Sequence, residues 1–75
     1  MHLYLRLMRF LPEQGSVPII AEDLKCCLEA ILEIHSVDSI SEHPKGGLAV
    51  VLQVSEGTIN AICDILEFEG YRTML

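Results

Sequence analysis

Leu3, Leu5 and Leu7 alternate with His2, Tyr4 and Arg6, the period-two pattern of a strand with one buried face. The pattern predicts a strand over residues 3–11. Pro12-Glu13-Gln14-Gly15-Ser16 then carries turn residues. Beyond it the spacing changes. Val17, Ile20, Leu24, Cys27, Leu28, Ile31 and Ile34 recur at intervals of three and four, one apolar stripe on a helix. Ser16 is the expected N-cap, with Pro18 in a first turn where its missing N–H is no loss. The start falls between residues 17 and 21, with Glu22 and Asp23 favoured early by the helix dipole.

Residues 36–41 read as a short polar strand, and His43-Pro44-Lys45-Gly46-Gly47 as the turn after it. Residues 48–54, Leu48-Ala49-Val50-Val51-Leu52-Gln53-Val54, form a nearly continuous apolar run, the mark of a well-covered strand. Ser55 is the expected cap of a second helix, with Glu56 in its first turn. Ile59, Ile62, Cys63 and Leu66 form the stripe of that helix, and Gly70 its C′ residue. Residues 71–75 give a last short strand.

The order strand–helix–strand–strand–helix–strand predicts an α+β fold, the ferredoxin-like βαββαβ sandwich. Right-handed crossovers place both helices on one face of a four-stranded antiparallel sheet of order 4-1-3-2. That order puts the two most apolar strands in the centre and the two polar ones at the edges, where charge and short length discourage stray pairing.

The other face of this sheet is the informative one. With Leu3, Leu5 and Leu7 toward the helices, Tyr4, Arg6, Met8 and Phe10 point away, beside Ala49, Val51 and Gln53 of the third strand. This surface is too apolar for a bare sheet, and a second copy of the chain is the simplest cover. Tyr4, Arg6, Met8, Phe10, Val51 and Gln53 are therefore the expected interface of a homodimer.

Composition narrows the functional classes. The chain has 75 residues, 51% of them apolar, with 11 Asp+Glu against 5 Lys+Arg and a formal net charge of −6. That length suits one domain, residues 1–75, with little material for a deep catalytic cleft. Acidity argues against non-specific nucleic-acid or anionic-membrane binding, and no stretch reaches the about 20 apolar residues of a membrane span. Arg6 and Arg9 interrupt the apolar opening segment, which does not read as a signal peptide. Cys26, Cys27 and Cys63 are odd in number and lack C-x-x-C spacing, so reduced thiols in a cytoplasmic setting are expected.

Candidate chemistry is sparse. Leu3-Tyr4-Leu5-Arg6-Leu7 resembles the first-strand box of RNA recognition motifs, but Gly47 and Ala49 stand where the third strand of such domains carries stacking aromatics. His2, His35 and His43 are scattered, without the short paired spacing of a zinc site, and His35 suits a dipole partner at a helix end. Cys27 and Cys63 fall on buried stripes, and Cys26 on a solvated side. The carboxylates Glu29, Glu33, Asp64, Glu67 and Glu69 suit solvated helix faces better than a paired acid–base site. No enzyme, metal or cofactor is expected. Gly15 and Ser16 are the best ligand candidates, because they precede a helix whose free N–H groups attract carboxylate or phosphate.

Over its whole length the chain resembles ACT-type regulatory domains. The resemblance lies in the βαββαβ order, Gly15 before the first helix, the apolar run 48–54, and the ending Leu66-Glu67-Phe68-Glu69-Gly70-Tyr71-Arg72. Pro12-Glu13-Gln14-Gly15 stands in place of the usual Asp-x-Pro-Gly lead-in. The resemblance implies a dimeric regulatory module that binds a small molecule such as an amino acid, with Gly15 and Ser16 as contacts. Residues 44–52 are also similar to the second hairpin of the small maturation chaperones of periplasmic nitrate reductase. That likeness implies a peptide-holding role, and an acidic chain suits a basic peptide.

Overall fold

The computed structural model describes residues 1–74, so Leu75, the expected end of the last strand, lies outside the described residues. The fold is α+β. Strand β1 (His2–Leu11) is followed by a three-residue strand β2 (Gly15–Val17) and helix α1 (Ala21–Glu29). Strands β3 (Ile34–Glu42) and β4 (Leu48–Val54) form a hairpin, followed by helix α2 (Ile59–Phe68) and strand β5 (Tyr71–Met74).

All pairings are antiparallel. β1 meets β4 from His2↔Gln53 to Leu7↔Leu48, β5 from Arg6↔Met74 to Arg9↔Tyr71, and β2 from Arg9↔Val17 to Leu11↔Gly15. Arg6 lies opposite both Ala49 and Met74, and Arg9 opposite both Val17 and Tyr71. β5 therefore runs along one side of β1, while β4 and then β2 follow each other along its other side. β3 pairs the far side of β4, with register shifts between Ile34 and Ser36 and between Val37 and Ser39. Such irregularities bend an edge strand and discourage pairing with strangers.

The core confirms which faces the alternation assigns to the inside. Leu5 and Leu7 of β1, with Leu48, Val50, Leu52 and Val54 of β4, pack in one cluster with Leu24 and Leu28 of α1 and Ile62 and Leu66 of α2. Both helices thus cover the same face of the sheet. Each fully buried leucine there contributes about 1.5–3 kcal/mol relative to exposure.

Three expected boundaries differ. Ser16 does not cap α1. It pairs with Phe10, and Val17 with Arg9, as strand β2. Pro18 explains this, because it biases the residue before it toward extended backbone and away from helix. The helix starts at Ala21, with Ile20 as an N-cap that makes no side-chain cap hydrogen bond, and Glu22 and Asp23 occupy its first turn. Ile20 is consequently 61% exposed rather than part of the buried stripe.

α1 also ends earlier than the stripe suggests, at Glu29, with the amide of Ala30 donating to the Cys26 and Cys27 carbonyls. Ile34 belongs to β3, where it pairs with Val54. The backbone of β4 needs partners along its outer side, and β3 supplies them by extending to residues 34–42. His35 is then a strand residue rather than a dipole partner.

Ser55 does not cap α2 either. Its hydroxyl pairs with His35 Nε2 at 2.7 Å, and its carbonyl accepts from Thr58 Oγ1 at 2.6 Å, with Thr58 as the N-cap. Glu56 lies in the turn before the helix. At the other end Gly70 has φ +96°, the left-handed C′ conformation expected of it.

Candidate functional site

Helices cover one face of the sheet, and the alternation of β1, β4 and β5 builds the other. Tyr4 lies opposite Val51, and Arg6 lies between Ala49 and Met74. Met8 lies opposite Arg72, and the Arg72 guanidinium sits 5.3 Å from the centre of the Phe10 ring. His2, Gln53 and Ser36 continue the row at the far end. Tyr4 is 59% and Phe10 39% exposed, while Arg6, Met8, Val51 and Gln53 are half-buried. All six residues expected at an interface therefore share one surface.

The charges are unevenly divided between the two layers. Arg6 and Arg72 lie on the open face, with Lys45 in the hairpin beside it. Asp38, at a β3 irregularity, reaches His2 Nε2 at 2.9 Å. The helical layer (residues 21–29 and 59–69) carries six carboxylates, Glu22, Asp23, Glu29, Asp64, Glu67 and Glu69, and one cation, Lys25. The Lys25 ammonium lies 3.9 Å from Glu29, an exposed i,i+4 pair of small energetic weight.

Arg6 fixes the hairpin to this surface. Its Nε donates to the Gly46 carbonyl at 2.9 Å and its Nη2 to the Lys45 carbonyl at 2.6 Å. The hairpin closes on itself through the His43 amide to the Gly47 carbonyl at 3.0 Å and the Gly46 amide to the His43 carbonyl at 2.9 Å. The Lys45 amide also donates to His43 Nδ1 at 3.0 Å. Tyr4, Arg6, His43, Lys45 and Met74 together line a hollow of about 340 Å³.

The structure separates the two expected ligand residues. Ser16 lines a cleft of about 550 Å³ between the β2–α1 connection and the β3–β4 hairpin, together with Pro18, Ile19, Glu42, His43 and Gly47. Gly15 lines a different cleft of about 530 Å³ with Phe10, Leu11, Gly70, Tyr71 and Arg72. Neither residue adjoins the start of α1, which lies at Ala21, so the helix-terminus argument for anion binding fails for both. Met74 and Arg72 are additions to the open face, and the alternation within Tyr71-Arg72-Thr73-Met74 already carries that signal. His43 and Lys45 enter through the turn expected at residues 43–47, whose position against Arg6 no local pattern announces.

Cys27 and Tyr71 titrate as packed side chains. Burial, then the neighbouring Glu69 carboxylate, pushes the Cys27 thiol up. Burial also raises the Tyr71 hydroxyl, with Cys27, Asp23 and Glu69 adding and Arg9 opposing. Cys26 is exposed, and all three cysteines are free thiols. Among the described residues no group of three or more His, Cys, Asp or Glu side chains is placed to hold a metal ion. Among the same residues no helix is long and apolar enough to cross a membrane.

Compared with protein-family models, curated proteins and solved structures, the chain matches none.

Proposed function

We propose that this chain is a small non-enzymatic regulatory module that pairs with a second copy of itself through the open face of its sheet. One observation carries the reading: Tyr4, Met8, Phe10, Val51 and Met74 form an apolar row on a sheet face that no helix covers. Tyr4 and Phe10 stay exposed while Met8, Val51 and Met74 are half-buried between Arg6 and Arg72, and an apolar patch rimmed by polar side chains marks an interaction surface. A stable complex buries about 800 Å² per partner, roughly a sixth of the 4951 Å² of accessible surface. Two-fold pairing lets the same row serve both copies.

The ferredoxin-like reading of the fold belongs with this proposal. It is supported by the central position of β1 and β4, with β5 outside β1 and β3 outside β4, and β2 as a short addition to the basic pattern. The three free thiols support a reducing, cytoplasmic setting. The arginines on the open face disfavour a basic peptide there, which weakens the chaperone reading for that surface.

A second element is ligand binding at the Ser16 cleft. Its volume of about 550 Å³ falls within the about 300–1,000 Å³ of small-molecule sites. The ACT-like reading places a small molecule such as an amino acid in this region. Titration of the isotope-labelled protein with individual amino acids tests it. Saturable amide shifts confined to residues 16–19 and 43–47 support the cleft, and absence of shifts across the set removes the ligand from the proposal.

The pairing itself is tested by molar mass in solution, comparing the wild-type chain with Tyr4→Ser and Phe10→Ser. A dimer that both substitutions dissociate supports the reading, and a wild-type monomer overturns it.

A further inference from the structure

The helical layer carries an apolar feature that pairing through the sheet leaves uncovered. Cys27, Ala30 and Ile31 on the α1 side face Ile65 and Glu69 on the α2 side across a groove of about 290 Å³. Ile65 is 36% exposed, and Phe68, one turn further along the same helix, is 88% exposed. An aromatic ring that open to water leaves a large apolar area solvated unless something covers it.

The surroundings state the chemistry of the cover. Glu69 lines the groove itself, and Asp23 stands one helical turn before Cys27 on α1. Asp64 stands one helical turn before Phe68 on α2, and the single cation of the layer, Lys25, lies 3.9 Å from Glu29. An apolar groove with acidic rims is complementary to a helix that has an apolar stripe edged by lysine or arginine. A second copy of this chain does not supply that partner, because its own helices are acidic.

We propose that the groove between α1 and α2, together with the exposed Phe68 beside it on α2, docks a cationic amphipathic helix from another protein, with Ile65 and Phe68 as the apolar anchors. The apolar stripe of the partner covers Ile65, Phe68 and Ala30, and its flanking cations meet Glu69 and Asp64. The surface is separate from the open sheet face, so either can fail without the other.

The test uses the full chain and a synthetic amphipathic peptide of about four turns, with leucine on one face and lysine along its edges. Controls are a peptide of the same composition in scrambled order and one with glutamate in place of lysine. Docking predicts saturable amide shifts at Cys27, Ala30, Ile65 and Glu69. It also predicts affinity about tenfold weaker for Phe68→Ser and for Ile65→Ser, and unchanged for Phe10→Ser. Both anchors are solvent-accessible, so these variants keep the fold, which the spectrum of the free protein verifies. Equal binding of the scrambled peptide, shifts centred on Tyr4 and Phe10, binding indifferent to Phe68→Ser, or no binding overturns the proposal.

Discussion

Arg6 and Gly46 lie 40 positions apart in the chain, yet the Arg6 Nε donates to the Gly46 carbonyl at 2.9 Å. The same guanidinium reaches the Lys45 carbonyl at 2.6 Å, so one side chain of the central strand pins the β3–β4 hairpin to the rim of the open face. Planar, two-donor geometry is specific to arginine. Arg6→Lys is expected to reduce stability by about 1 kcal/mol and to speed hydrogen exchange of the amides at residues 45–47. Unchanged exchange in that hairpin would show that the turn is held by its own hydrogen bonds alone.

Gly47 presents a sharper constraint. Its φ is +76°, and a Cβ there would collide with the Leu7 carbonyl oxygen and the Met8 sulfur. The obstacle on one side is backbone of the central strand, which cannot swing away. Gly47→Ala should therefore cost more than about 2 kcal/mol in urea or thermal unfolding. Gly15 has φ +70° with open space around its Cβ position, so Gly15→Ala should cost only about 1 kcal/mol. Equal effects of the two substitutions would contradict the close approach.

Stability is expected to decline at alkaline pH. Burial raises both the Cys27 thiol, with help from Glu69, and the Tyr71 hydroxyl, with help from Cys27. The native state therefore holds these protons more tightly than the unfolded chain does. Their contribution is complete below the ordinary thiol value of about 8.5 and is lost as pH rises through and beyond it. The Tm should fall as pH rises past that point, and Cys27→Ala should flatten the first part of the decline. A Tm that climbs with pH, or a slope untouched by Cys27→Ala, would contradict the assignment.

The same burial separates the thiols by reactivity. At neutral pH a small alkylating agent should modify the exposed Cys26 first and Cys27 much more slowly. Mass spectrometry of peptides after brief treatment checks the order, and early modification of Cys27 would show that the fold opens around it.

Much of this fold was legible in period and spacing. The alternation in residues 3–7 and 48–54 identified the strand faces, and the stripes Leu24–Leu28 and Ile62–Leu66 identified the helical contributions to the core. Where local signals and strand pairing compete, pairing wins. Ser16 has the chemistry of a cap, but Pro18 turns the preceding residues extended and β1 offers them a ladder. Ile31 and Ile34 continue a helical spacing, but Ile34 is claimed by Val54 across the sheet. The six residues of the open face were legible because side-chain alternation alone places them. The separation of Gly15 from Ser16 was not, because it depends on the path of a three-residue strand. Nor was the interhelical groove, which needs the relative placement of two helices.

Pairing of two copies through the open sheet face is read directly by molar mass, from light scattering or sedimentation equilibrium over a range of protein concentration. The chain mass is 8.4 kDa. The wild-type protein should approach twice that value as concentration rises, and Phe10→Ser and Tyr4→Ser should remain at the single-chain mass with their folds intact. A wild-type mass that stays at one chain at the highest concentration, or a dimer indifferent to both substitutions, would rule that pairing out.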